Sequence, residues 1–196
     1  EASAVGFDVE YATLEMDLRS TLPAMIQFAG PTKNGPIGLI WLDKFPDRGR
    51  EMVGDQSVRP LMDILADPSI LKVGVGAQQD AKHLAEWWGI NDRDFMDHFI
   101  AGMEDIRYEL DDVELSEPKS LADLCQDILH RQLPKKKQIL SRRNKKRKKQ
   151  GRRSPTAHWR VDQSCITKEM INYAAHDASC GIDIFMRIKD LKSNTS

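Results

Sequence analysis

Asp8 and Glu10 stand two residues apart in an apolar run, Val5-Gly6-Phe7-Asp8-Val9-Glu10. The run is short and rich in Val and Phe, and it reads as a strand over residues 4–10. On a strand the two acids share one face, and Val9 takes the other. Two carboxylates side by side destabilise each other unless a cation lies between them. Such a strand must therefore open one face to positive charge, and oxygen ligands of this kind suit Mg²⁺ or Mn²⁺. Alone, the pair also fits a strand end entering solvent.

The chain has 196 residues, enough for one sizeable core and too few for two ordinary domains. Two further strands are expected over residues 23–29 and 36–42, separated by the turn-rich Gly30-Pro31-Thr32-Lys33-Asn34-Gly35. With the first they make an antiparallel meander. Leu61, Met62, Ile64 and Leu65 have helical spacing within 57–66. A strand over 70–75 ends at Gly76, and a helix over 78–88 stops at Gly89. The acidic middle is expected to hold a helix near 95–110. Ser120 and Asp123 resemble a capping box opening a helix to His130. Thr167 caps a long last helix to about 191. Strands first, helices later and one strand–helix unit between them predict an α/β domain, a mixed sheet packed by helices.

Two more acids stand out. Asp80 follows the Gly-rich strand exit Val73-Gly74-Val75-Gly76 and falls in the first turn of a helix. Complementing the helix dipole is an equally simple role for it. Tyr173 and Asp177 are four apart in the last helix and share a face. Ala174, Ala175, Ala178 and Gly181 keep that helix slim, so it can approach a sheet closely.

In order and local context these segments resemble the DEDD family of 3′-5′ exonucleases. The matching stretches are Asp8-Val9-Glu10, Lys72 to Leu84 around Asp80, and Tyr173-Ala174-Ala175-His176-Asp177-Ala178. Ser120-Leu121-Ala122-Asp123-Leu124, Leu133-Pro134-Lys135 and Trp159 resemble the stretch that this family carries before its third motif. The similarity covers essentially the whole chain and is greatest to the Werner syndrome exonuclease and ribonuclease D group. It implies a ribonuclease H-like fold and a single domain over residues 1–196, and because Glu1-Ala2-Ser3 offers neither a Met nor a basic-then-apolar signal pattern, that domain is expected to be trimmed at its N-terminus and part of a larger polypeptide. Tyr173 fits the tyrosine branch, because the position that would carry His in the histidine branch is Asn172.

The resemblance implies a two-metal hydrolysis of phosphodiester bonds at an RNA or DNA 3′ end, releasing nucleoside 5′-monophosphates. Two Mg²⁺ or Mn²⁺ ions, roughly 3.5–4 Å apart, would clamp the attacking and leaving oxygens. Asp8 would bridge them, Glu10 and Asp177 would complete one site, and Asp80 would support the other. Tyr173 would orient the attacking water, since a phenol of pKa near 10 is a poor base at neutral pH. Tyr11 and Leu14 follow the first motif and are candidates to touch the terminal base, although core packing also suits them. Trp87, Trp88 and Trp159 are assigned to packing. The rival reading is a catalytically weak nucleic-acid-binding or scaffold module that keeps the fold.

A net charge of −1 hides an asymmetry. Residues 135–153 hold twelve Lys or Arg and no acid, leaving 17 basic against 30 acidic residues elsewhere, a net of −13. This low-complexity stretch cannot bury a core, so a basic loop inserted at about 135–157 is expected. It suits a grip on phosphate backbone or, through Lys145, Lys146, Arg147, Lys148 and Lys149, a nuclear address. It also suits a merely solvated loop, and a cytoplasmic site is the alternative address. Cys125, Cys165 and Cys180 show no paired spacing and fit a reducing, intracellular compartment. No apolar run reaches the roughly 20 residues that span a bilayer, so no membrane partner is expected.

Overall fold

A computed structural model of the chain describes residues 3–13, 21–31, 35–42, 59–90, 93–110, 120–133 and 166–195. Five strands form one mixed sheet: β1 Ser3–Thr13, β2 Thr21–Ala29, β3 Ile37–Trp41, β4 Ile70–Gly74 and β5 Met103–Asp105. Their order is β3-β2-β1-β4-β5. The first three form the expected antiparallel meander, while β4 runs parallel to both β1 and β5. The helices are α1 Arg59–Ala66, α2 Ala77–Trp87, α3 Arg93–Ala101, α4 Leu121–Leu129 and α5 Lys168–Thr195.

Alternation along β1 and β2 divides the core in two. Phe7, Val9 and Ile26 pack with Ala77, Ala81, Leu84, Trp88 and Phe99 beneath α2 and α3. Ala4, Ala29 and Val73 pack on the other face with Ile182, Ile184 and Phe185 of α5 and with Leu124 of α4. Met25 joins Met170 and Ala174 on that second face. The residues between Phe7 and Val9, and after Val9, are Asp8 and Glu10, so both acids turn toward α5.

Punctuation read from the sequence holds where it is described. Asp123 N–H donates to Ser120 Oγ and Ser120 N–H to Asp123 Oδ2, each at 3.3 Å, closing the capping box. Met170 N–H donates to Thr167 Oγ1 at 3.2 Å at the start of α5. Gly89, at φ 76°, ends the α2 segment. One expectation fails. The helix placed near 95–110 stops at Ala101, and Met103–Asp105 continues as β5. Gly102 explains the break: a Cβ there would lie 2.5 Å from Lys72 Nζ. A strand of three residues is too short to show alternation. The basic stretch, Leu14, Trp159 and Cys165 lie outside the described residues.

Lys72 itself is fully buried in β4. Its ammonium donates to the carbonyls of Asp67 (2.7 Å) and Ile64 (3.3 Å) at the end of α1, satisfying acceptors that a helix C-terminus leaves open. Burial lowers its pKa to about 8 from the ordinary 10.5, with Asp67 opposing. Between these values the unfolded chain binds more protons, so stability rises with pH, and below about 8 the penalty is present in full. Thermal melts of wild type and Lys72→Met are therefore expected to shift in favour of wild type from pH 8 to pH 10. A constant difference would show that Lys72 keeps its proton across this range.

Candidate active site

The strand and the last helix together build the site. Asp8 and Glu10 leave β1 on the face that α5 covers, and Asp177 comes down from α5. One oxygen from each of the three lies within 4.8 Å of the others. Glu10 is only 2% exposed and Asp177 7%. Three buried or half-buried carboxylates at such spacing raise one another's energy unless positive charge joins them. As hard oxygen donors they fit a divalent cation such as Mg²⁺ or Mn²⁺, and the group is one that can hold a metal ion.

Close approach of α5 depends on small residues. Ala174 and Ala178 are fully buried, and Gly6 sits directly under Ala178. A Cβ on Gly6 would meet the Ala178 carbonyl oxygen at 2.0 Å. Gly6 and Ala178 each neighbour the acids by one or two residues, so their contact sets how near Asp177 comes to Asp8.

Tyr173, one turn before Asp177, is half-buried and hydrogen-bonds the Asp177 carboxylate. Burial first, then Asp177 and the charges of Glu10 and Asp8, push its phenol far above the usual range. It keeps its proton at neutral pH and acts as a donor.

Asp80 lies in the first turn of α2, as expected, and outside the close group of three. The preceding Gly76 takes the left-handed conformation, φ 79°, where a side chain would be strained. Asp80 accepts a 2.9 Å hydrogen bond from the hydroxyl of Tyr11. Tyr11 is raised likewise, by burial first, then by Asp80 and by Asp8. His83, one turn on, meets the Tyr11 ring edge-on, centroids 5.9 Å apart. Trp88 is fully buried and Trp87 packs against the same core, as assigned.

Asp105, its partner Arg107 and Gln27 lie near the site and were not singled out from sequence. Asp105, at the end of β5, accepts from Gly76 N–H (3.0 Å), Arg107 N–H (3.1 Å) and Arg107 Nε (2.9 Å). Burial would raise its carboxyl, but these donors outweigh that and hold it low. Asp105 thus pins the turn that delivers Asp80. Gln27 pairs with Asp8 in the β1–β2 register, and its buried amide has no hydrogen-bond partner among the described residues. The only sequence signal for these was polarity inside apolar or acidic segments.

A family model described as 3′-5′ exonuclease matches residues 1–191. The mouse and human "Exonuclease 3′-5′ domain-containing protein 2" are each 29% identical over 187 residues, 94% of this chain. The chain spans about a quarter of those relatives, 24% and 25% of their lengths. Among solved structures, ribonuclease D of Trypanosoma brucei aligns with TM-score 0.64 and 12% identity, covering 95% of this chain and 57% of that one. Brucella melitensis NrnC bound to pGG aligns with TM-score 0.61 and 15% identity, covering 100% and 76%. At these identities the likeness is one of fold: the mixed sheet with flanking helices matches ribonuclease H-like exonucleases.

Proposed function

The chain belongs to the 3′-5′ exonuclease family, within the DEDD superfamily, and on that premise we propose that it removes nucleotides from the 3′ end of RNA or DNA as nucleoside 5′-monophosphates. The observation that carries this reading is the gathering of Asp8, Glu10 and Asp177 oxygens within 4.8 Å. Asp8, Glu10 and Asp177 would hold one divalent cation, and Asp80 with Asp8 would hold a second. Two such ions, Mg²⁺ or Mn²⁺, supply the charge that stabilises both the attacking and leaving oxygens of an in-line displacement.

The protein's own groups do the positioning. Tyr173, kept protonated by its neighbour Asp177, would orient the attacking water through its phenolic oxygen, which still accepts a hydrogen bond, as the tyrosine-branch reading implies. Glu10 from the strand and Asp177 from the helix are both buried where α5 covers the sheet, so the two acids are shielded from bulk solvent. Tyr173→Phe is expected to lower kcat by up to about a hundredfold through lost orientation while KM stays nearly constant. An unchanged kcat rejects the orienting role.

We propose further that residues 1–196 act as one exonuclease domain of a larger polypeptide. The basic stretch 135–153 is proposed to hold phosphate backbone and to direct the protein to the nucleus. The deciding assay uses oligonucleotides labelled at either end. Shortening from the 3′ end that stops in EDTA supports the activity, and binding without shortening supports a mere binding module. Run across salt concentrations, it also reads the basic stretch, whose deletion is expected to flatten the salt dependence of binding.

A further inference from the structure

We propose that Tyr11 is the positioning residue that aims Asp80 at Asp8 and thereby sets the affinity of the cation site those two acids share; this rests on the metal-dependent reading above.

Asp80 approaches from the wrong side of the sheet. Asp8 and Glu10 face α5, whereas α2 packs on the opposite face with Phe7 and Val9. Asp80 can meet Asp8 only past the end of β4, whose pairing with β1 stops at Gly6↔Val73. At its start, α2 has no side-chain cap, since its N-cap is Gly76. Helix geometry alone leaves the direction of Asp80 open.

Tyr11 supplies that direction from the strand that carries Asp8 and Glu10. An irregularity in the β1–β2 register falls between Glu10 and Tyr11. The Tyr11 side chain lies on α2 at two levels. Its hydroxyl is 2.9 Å from Asp80 Oδ1 and 3.5 Å from the Asp80 carbonyl oxygen. Its ring stands at 89° to His83, three residues further along the helix. A carboxylate has about four acceptor positions, so one hydroxyl leaves capacity for a cation. Groups that orient a metal-binding side chain typically change metal affinity or activity by about 10–100-fold when removed.

Tyr11→Phe keeps the ring and its contact with His83 and removes only the hydroxyl. Calorimetric titration with Mn²⁺ compares wild type, Tyr11→Phe, Asp80→Ala and the double variant. The expected result is that Tyr11→Phe weakens the weaker Mn²⁺ step by about 10–100-fold. Its lost activity returns at high Mn²⁺, its KM for oligonucleotide is unchanged, and adding it to Asp80→Ala costs nothing further. Wild-type Mn²⁺ affinity in Tyr11→Phe overturns the inference alone, and a raised KM with that affinity places Tyr11 on the nucleic acid instead. A full effect of Tyr11→Phe in the Asp80→Ala background also overturns it, because Tyr11 would then act by packing. If wild type takes up no Mn²⁺, the metal-dependent reading falls and the inference with it.

Discussion

Asp8→Ala and Asp177→Ala are each expected to lower cleavage by roughly 10³-fold or more, the scale of losing a principal electrostatic contribution to a transition state. The fold should survive. Without a cation the three acids, with oxygens all within 4.8 Å of one another, repel, so removing one relieves strain in the metal-free protein. Melting in EDTA should therefore occur at or above the wild-type midpoint. The Mn²⁺-induced rise in midpoint should disappear, a rise that in wild type reflects binding worth about 2.7 kcal/mol at a hundred times Kd. Paired melts with and without Mn²⁺, beside the cleavage assay, give both readouts. Full cleavage by either variant would remove the acid in question from the chemistry.

Gly6→Ala is expected to be the most damaging small substitution. A methyl group there meets the Ala178 oxygen at 2.0 Å and its carbonyl carbon at 2.9 Å, both backbone atoms that cannot rotate aside. Either β1 or α5 must move. Overpacking of this kind costs about 1–3 kcal/mol, and a backbone contact belongs at the upper end. Because Ala178 adjoins Asp177 and Gly6 lies two residues from Asp8, the same movement widens the gap between these acids. Activity should fall beyond what the unfolded fraction accounts for. Urea unfolding gives the stability loss, and cleavage measured where the variant remains folded gives the rest. Wild-type stability would mean that α5 does not seat on Gly6.

Much of this site was legible because its members carry local signals. Asp8 and Glu10 interrupt an apolar strand at a spacing of two, and Asp177 follows Tyr173 at a spacing of four on a helix of small residues. Those periodicities decide which face each side chain takes. The resemblance then said which faces meet. The tether of Tyr11 to Asp80 joins residues 69 apart and has no periodic signature. Asp105 pins Gly76 across 29 residues and was equally silent. β5 was hidden for a different reason. The apolar spacing of α3 runs toward it, and only Gly102, required by the buried Lys72 ammonium, interrupts the pattern.

The place of β1 in the sheet has one more consequence. It lies third of five strands, bonded to β2 on one side and β4 on the other. The two pairings meet at Gly6, so amide hydrogens of residues 3–6 should be released by opening on the β4 side and those of residues 6–13 by opening on the β2 side. Asp8 and Glu10 thus ride on the length of β1 that, among the described residues, β2 alone holds, and the side of the strand beyond the reach of β4 is left open beside them.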